Sequence, residues 1–278
     1  MDWNKSNTIL IIAFLIVNIF LFSYTYYDDL LDKKQDTIEN ESFLQSVEEI
    51  LETKNITIKC DIPQKIYKRP FLEIEYKIVH PSKKLIEDFL GEYSGLISDD
   101  INVYEKNDEK LEIVGGKKII YSKETPSNIE INNTKSADNI INEFCVEKNI
   151  DLSNFIKDFT ETKDNTKIVR FVQRYKGYKV ENSYIRFYIS KGDVIGYEKQ
   201  FVANISERAT VNVVSATEAL LRLMVYEDIH DCKITDIEIC YYTKENKDFE
   251  VINSINVDLV WKVIIDNNKI IYLVSSEY

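Results

Sequence analysis

The sequence predicts an α+β protein: a single N-terminal transmembrane helix, then an exported part built from repeated α-β-β-β modules with antiparallel sheets. Three observations carry that expectation. An uncharged run fills residues 6–27, a helix-then-three-strands pattern opens at Ser136 and again at Ser215, and the links between strand patterns are short and rich in Gly, Asn and Asp. The chain then divides into a cytoplasmic tip and anchor (1–27), a juxtamembrane stalk (28–41), an N-terminal α+β lobe (42–130) and a C-terminal tandem α-β-β-β lobe (131–278).

The anchor comes first. No residue from Ser6 to Tyr27 is charged, and Ile9 to Phe22 is apolar except for Asn18. At about 1.5 Å per residue, roughly 20 residues cover a hydrocarbon layer of about 30 Å. A cleaved signal peptide is disfavoured, because Phe20, Phe22, Tyr24, Tyr26 and Tyr27 crowd the place of a small-x-small cleavage site; a lipoprotein is disfavoured because no Cys precedes Cys60. Lys5 lies on one flank and Asp28, Asp29 and Asp32 open the other, so the N-terminus is expected in the cytoplasm and the C-terminal domain outside it. Asn18 reads either as glue that hydrogen-bonds a neighbouring helix or as a tolerated polar residue bonded to its own backbone. The partner-binding face of the membrane helix is assigned to Phe14, Asn18, Phe20 and Leu21.

Ser42-x-x-Gln45 has capping-box spacing, with Phe43, Leu44, Val47 and Leu51 on one helical face. Residues 71–79 alternate, with Leu72, Ile74, Tyr76 and Ile78 opposite Glu73, Glu75 and Lys77, the pattern of a half-buried strand. Beyond Pro81, Leu85, Ile86, Phe89 and Leu90 recur at helical spacing. Short strands are expected at 101–104, 111–114 and 118–121, the last two joined by a Gly115-Gly116 turn.

The repeat follows. Ser136-Ala137 opens a helix with Ile140, Ile141, Phe144 and Cys145 on its apolar stripe, and Ser215-Ala216 opens another with Ala219, Leu220, Leu223 and Met224 at the same offsets. The first is followed by strand patterns at 168–175, 184–189 and 194–202, the second by 234–242, 257–265 and 269–274. Links such as Lys191-Gly192-Asp193 and Asp266-Asn267-Asn268 are too short for parallel crossovers, which makes the sheets antiparallel. The stretches at 42–79 and 82–121 read as degenerate copies of the same unit.

Composition narrows the function. The 278 residues are 44% apolar and carry 35 Lys+Arg against 47 Asp+Glu, a net charge of −12. That excludes a disordered or collagenous chain and opposes binding to nucleic acid or anionic lipid. The two histidines, His80 and His230, are far apart and in no H-E-x-x-H setting; His230, flanked by Asp228 and Asp231, reads as a surface residue. Cys60, Cys145, Cys232 and Cys240 form no C-x-x-C pair, and a Cys232–Cys240 disulfide is left open. There is no P-loop or G-x-G-x-x-G, and Gly91-Glu-Tyr-Ser94-Gly95 lacks nucleophile-elbow spacing. The residues therefore give no cofactor, no metal site, no small-molecule substrate and no catalytic set.

The opening Met1-Asp2-Trp3-Asn4-Lys5, followed directly by the apolar span, resembles the start of the YycI proteins, membrane-anchored regulators of Firmicute two-component systems. The strand Val260-Trp261-Lys262-Val263 is similar to that family's A-W-(basic)-(apolar) motif, with Leu259-Val260 where Pro-Ala is typical. The resemblance implies a non-enzymatic role: signal transduction in the cell membrane through contact with a YycG/WalK-type sensor histidine kinase that controls cell-wall metabolism, together with a YycH-like protein. A second reading comes from residues 169–180, whose V-x-F-x-Q-x-Y-x-G-x-x-V run is similar to protease propeptide and PepSY-type domains. That resemblance implies a membrane-tethered protease inhibitor or chaperone. A third, binding of wall polymer through exposed tyrosines, draws only on the 18 Tyr residues.

Overall fold

Alternating apolar runs become strands wherever they find a hydrogen-bonded neighbour, and in this chain nearly all of them do. The computed structural model describes residues 14, 17–18, 42–63, 67–124, 135–244, 251–266 and 269–275. A helix, α1, occupies residues 42–52, followed by β1 (Ile56–Ile58) and β2 (Tyr67–Tyr76). Helix α2 (Lys83–Leu90) precedes β3 (Val103–Lys106), β4 (Glu109–Val114) and β5 (Lys118–Lys123). Helix α3 (Ala137–Glu147) precedes β6 (Phe155–Lys163), β7 (Thr166–Tyr175), β8 (Tyr178–Ser190), β9 (Asp193–Gln200) and β10 (Val202–Val213). Helix α4 (Ala216–Leu220) runs into a 3-10 turn, Leu221–Val225, and then β11 (Cys232–Tyr242), β12 (Ser254–Ile265) and β13 (Lys269–Val274).

Among the described residues the thirteen strands form one network, in the order β10-β2-β12-β11-β8-β9-β5-β4-β3, with β1 on β11, β13 on β12, and β7 then β6 on β8. The result is a mixed α+β domain with a large, mostly antiparallel sheet. Its hairpins turn where the sequence placed them: Lys191 and Gly192 both take positive φ, 49° and 79°, the two-residue geometry that matches strand twist. Helices α3 and α4 are capped by their predicted serines, the Ser136 and Ser215 hydroxyls accepting from the amides of Asn139 and Glu218.

Three apolar clusters sit on this network. Helices α2 and α3 close the first over β4, β5 and β7–β9, with Phe144 against Phe187 and Tyr197. Helices α1 and α4 close the second over β11–β13, where Trp261 is fully buried and donates its indole N–H to the Val214 carbonyl at 2.9 Å. The third lies between the β2/β10 pair and β8, β11 and β12.

Several sequence expectations are corrected. The sheet is not wholly antiparallel, because β1 and β8 both lie parallel to β11. The first repeat holds four strands before its exit, since β6 was missed; it is an outer strand paired only with β7, and its partly exposed residues lack clean alternation. The 194–202 pattern is two strands, β9 ending at Gln200 and β10 starting at Val202. Most of β10 is exposed and polar, with a register shift between Glu207 and Thr210, so it carried no apolar signal. Strand β2 runs from Tyr67 to Tyr76 rather than to Val79; Leu72, Ile74 and Tyr76 are buried as expected, but Ile78 is 39% exposed. Helix α1 buries Val47 and Leu51 and leaves Phe43 exposed.

Candidate functional site

The two repeats meet where β8 lies parallel to β11, with Lys179 opposite Cys240 and Val180 opposite Tyr241. Next to this pairing β8 leaves the ladder with β7: Val172 faces Tyr184, but Gln173 faces Val180, so Glu181, Asn182 and Ser183 bulge out. Polar residues in a bulge normally face water. Here all three are buried, which costs several kcal/mol unless each polar group is satisfied. Asn182 is held by two hydrogen bonds with the Thr243 backbone, and Ser183 donates to Gln173 Oε1 at 2.6 Å.

Glu181 anchors a network of six charges. Arg170 of β7 donates Nη1 to Glu181 Oε2 and to Asp158 Oδ2 of β6, both at 2.6 Å, and Nη2 to the Glu181 carbonyl at 2.9 Å. Lys262 of β12 lies 3.0 Å from Glu181, 3.2 Å from Asp158 and 3.1 Å from Glu238 of β11. Lys179 bonds Asp158 at 2.6 Å and Glu238 at 2.7 Å, and the Tyr272 hydroxyl donates to Glu181 Oε2 at 2.9 Å. Three carboxylates thus face three cations, drawn from β6, β7, β8, β11 and β12, and the cluster is neutral.

Titration follows from this packing. Burial alone would raise Asp158, yet Lys262, Lys179 and Arg170 outweigh it and hold the carboxyl down at about 2. Burial alone would lower Lys262, but Glu181, Asp158 and Glu238 outweigh it and push the ammonium up. Arg170 and Lys179 are likewise raised by carboxylates against the pull of burial, while burial and Glu181 raise the Tyr272 phenol. Burial drives the Cys240 thiol well above its ordinary value. Each of these groups is locked in one protonation state near neutral pH, so none is poised as a general acid or base.

Oxygens of Asp158, Glu181 and Glu238 lie within 4.8 Å of one another, a spacing that suits a cation. The ammonium of Lys262 contacts all three and already supplies that cation, so a metal ion would have to expel it. The arrangement is a charge-compensated lock across the repeat seam.

Beside the lock opens a cleft of about 400 Å³, walled by Lys118, Arg186, Glu198, Lys244 and the stacked rings of Tyr242 and Tyr272, whose centroids are 3.7 Å apart. Glu198 accepts from the Tyr184 hydroxyl at 2.5 Å and lies 3.3 Å from Arg186 and 3.5 Å from Lys118.

The residues singled out from sequence fall elsewhere. Phe14 and Asn18 are helical and exposed, and Phe20 and Leu21 lie outside the described residues. Among the described residues no helix is long and apolar enough to cross a membrane. His230 is exposed, its Nδ1 2.7 Å from Asp231, and His80 lies 3.5 Å from Asp99. The four cysteines are free thiols. The seam network was not anticipated, although both sequence motifs touch it: Lys262 is the basic residue of Val260-Trp261-Lys262-Val263, and Arg170 and Lys179 belong to the 169–180 run. A cation inside an otherwise apolar strand was the signal available.

The fold and its seam define a mixed α+β domain whose charged centre is structural. A comparison with family models places it further: residues 33–275 match the YycI protein family, and the chain belongs to that family. It is a family of non-catalytic regulatory proteins; membership implies a regulator of the YycG/WalK two-component system, contact with YycG and YycH, and membrane anchoring. No curated protein matches the chain. Among solved structures, the Bacillus megaterium YpeB C-terminal domain aligns at 10% identity over 63% of this chain and 83% of that one, with a TM-score of 0.34.

Proposed function

We propose that the protein is a single-pass, membrane-anchored regulator whose exported domain and membrane helix bias a YycG/WalK-type sensor kinase of a cell-wall two-component system, in company with a YycH-like protein. The observation that carries this reading is the family match over residues 33–275. The uncharged span of residues 6–27 and the polar residue within it, Asn18, support a contact inside the membrane. A bound regulator shifts a two-state kinase only through a difference in affinity for its two states, and a difference of about 1.4 kcal/mol changes their ratio tenfold. For such a bias to reach the kinase the exported domain must hold its shape, and the seam supports that role by tying five strands from both repeats.

The 169–180 run, which supported the protease-inhibitor reading, forms the β7–β8 hairpin, and its Arg170 and Lys179 face the seam rather than a partner. The kinase reading is therefore the better supported. Its test is to replace residues 8–27 with an unrelated poly-Leu helix at equal abundance. Loss of co-purification with the kinase and altered target-gene expression are expected; unchanged co-purification and expression would remove the membrane contact from the proposal. Asn18→Leu should weaken co-purification without releasing the protein from the membrane, by at most about 2 kcal/mol.

A further inference from the structure

The chain turns away from β8 and β5, the neighbours of β9, to pair with β2 at the junction of β9 and β10, between Gln200 and Val202. A cavity of about 280 Å³ opens beside this crease. The chain leaving β2 forms one wall, the Lys77 amide donating to the Phe201 carbonyl at 2.8 Å and the Val79 amide to the Gly116 carbonyl at 2.7 Å. Its lining is mixed: Val79, Leu85, Ile119 and Phe201 supply apolar surface, and Lys77, Lys117, Lys199 and His80 supply polar surface. No acidic side chain lines it among the described residues.

Three lysines lining one cavity stand out in a protein of net charge −12. Lys117 is buried in the floor, its ammonium donating to the Ile252 carbonyl at 2.7 Å. Lys199 is half-buried, its ammonium 6.0 Å from the Phe155 ring centre and 5.7 Å from that of Phe201. Among the described residues neither Lys77 nor Lys199 has a carboxylate within ion-pair distance, in contrast to every lysine of the seam. Burial and then the like charge of Lys77 push Lys199 below its ordinary value. Asp151 pulls the other way but is the weaker influence, and its carboxylate already accepts from the Ser153 amide and hydroxyl.

We infer that this crease cavity is a binding site for a small organic carboxylate carrying a compact apolar group. An anionic head between Lys77 and Lys199 supplies the counter-charge the fold omits, while the apolar body meets Val79, Ile119 and Phe201. The cavity, at about 280 Å³, is at the small end of ligand-sized pockets, which limits the occupant to a compact molecule such as a monocyclic carboxylate. A bare phosphate dianion fits less well, since Val79, Leu85, Ile119 and Phe201 would displace part of its hydration and return no hydrogen bond in exchange. This site is independent of the kinase reading. A ligand here would brace the β2/β10 pair against the β5–β9 sheet.

The test uses the full-length chain purified in a non-ionic detergent, titrated by calorimetry with benzoate and, in parallel, with inorganic phosphate. Saturable benzoate binding is expected, with phosphate at least tenfold weaker. Lys199→Met should weaken benzoate at least tenfold, as loss of a charge-assisted contact does. Lys77→Glu changes an exposed side chain and is the control for folding; it should weaken benzoate comparably with an unchanged near-ultraviolet circular dichroism spectrum. No saturable benzoate binding by the folded protein, phosphate binding as tightly as benzoate, or benzoate binding unaffected by Lys77→Glu would each overturn the inference.

Discussion

Lys262 at the seam and Lys199 at the crease are both lysines on strands of the same sheet, and their surroundings drive them in opposite directions. Lys262 is almost completely buried, yet carboxylates on three strands hold its ammonium above the ordinary value. Lys199 is less buried but is covered by aromatic rings and faced by another lysine, and its value falls. Burial alone therefore does not distinguish a structural charge from one available to a ligand. Compensation does: the seam closes its own charge account within the fold, and the crease leaves one open.

The largest expected effect comes from breaking compensation at the seam. Lys262→Met strands Glu181, Asp158 and Glu238 with one cation fewer, and removing one partner of a buried pair typically costs about 3 to 5 kcal/mol. Adding Glu181→Leu in the same chain should recover part of that loss, so a double-mutant cycle by urea unfolding should return a coupling energy well above zero. Additive losses would separate the two residues energetically.

Acid is the next largest. With its folded value at about 2 and an ordinary carboxylate near 4, Asp158 contributes about 2 kcal/mol that is fully present above about pH 5 and is lost as pH falls toward 2. Native stability should therefore drop steeply over that window, and Asp158→Asn should flatten that part of the profile.

Smaller effects come from the helix caps and from the rim of the crease. Ser136→Ala and Ser215→Ala each remove a helix cap and should each cost about 1 kcal/mol, measured by thermal unfolding. Lys77→Glu, on the exposed rim of the crease, should leave the unfolding midpoint unchanged or raise it slightly, because no ion pair is broken there and the like charge facing Lys199 is removed.

Much of the architecture was legible in the sequence because burial imposes a period. The helix stripes of Ile140, Ile141 and Phe144 and of Ala219, Leu220 and Leu223 are buried as the spacing indicates, and the alternation of Ile185, Phe187 and Ile189 sets one face of β8. Strands β6 and β10 escaped because an outer strand with one neighbour buries too little to write an apolar pattern. The parallel seam escaped for another reason: it joins Lys179–Val180 to Cys240–Tyr241, positions related by folding and by no local spacing. The charges of the seam were visible singly, with Arg170 between Val169 and Phe171 and Lys262 between Trp261 and Val263. Their meeting with Asp158, Glu181 and Glu238 depends on the register of five strands. The crease was less legible still, because Lys77 and Lys199 look like the solvent-facing charges of ordinary strands.

The most direct test places the two lysines side by side. Equilibrium urea unfolding of the full-length chain at neutral pH, compared with Lys262→Met and with Lys199→Met, asks whether removing each charge harms or relieves the fold. Lys262→Met should lose about 3 to 5 kcal/mol, whereas Lys199→Met, which removes a desolvated charge facing a like charge, should be as stable as the parent or more so. Equal destabilisation by both, or a larger loss at Lys199, would contradict the distinction between a compensated seam and an uncompensated crease.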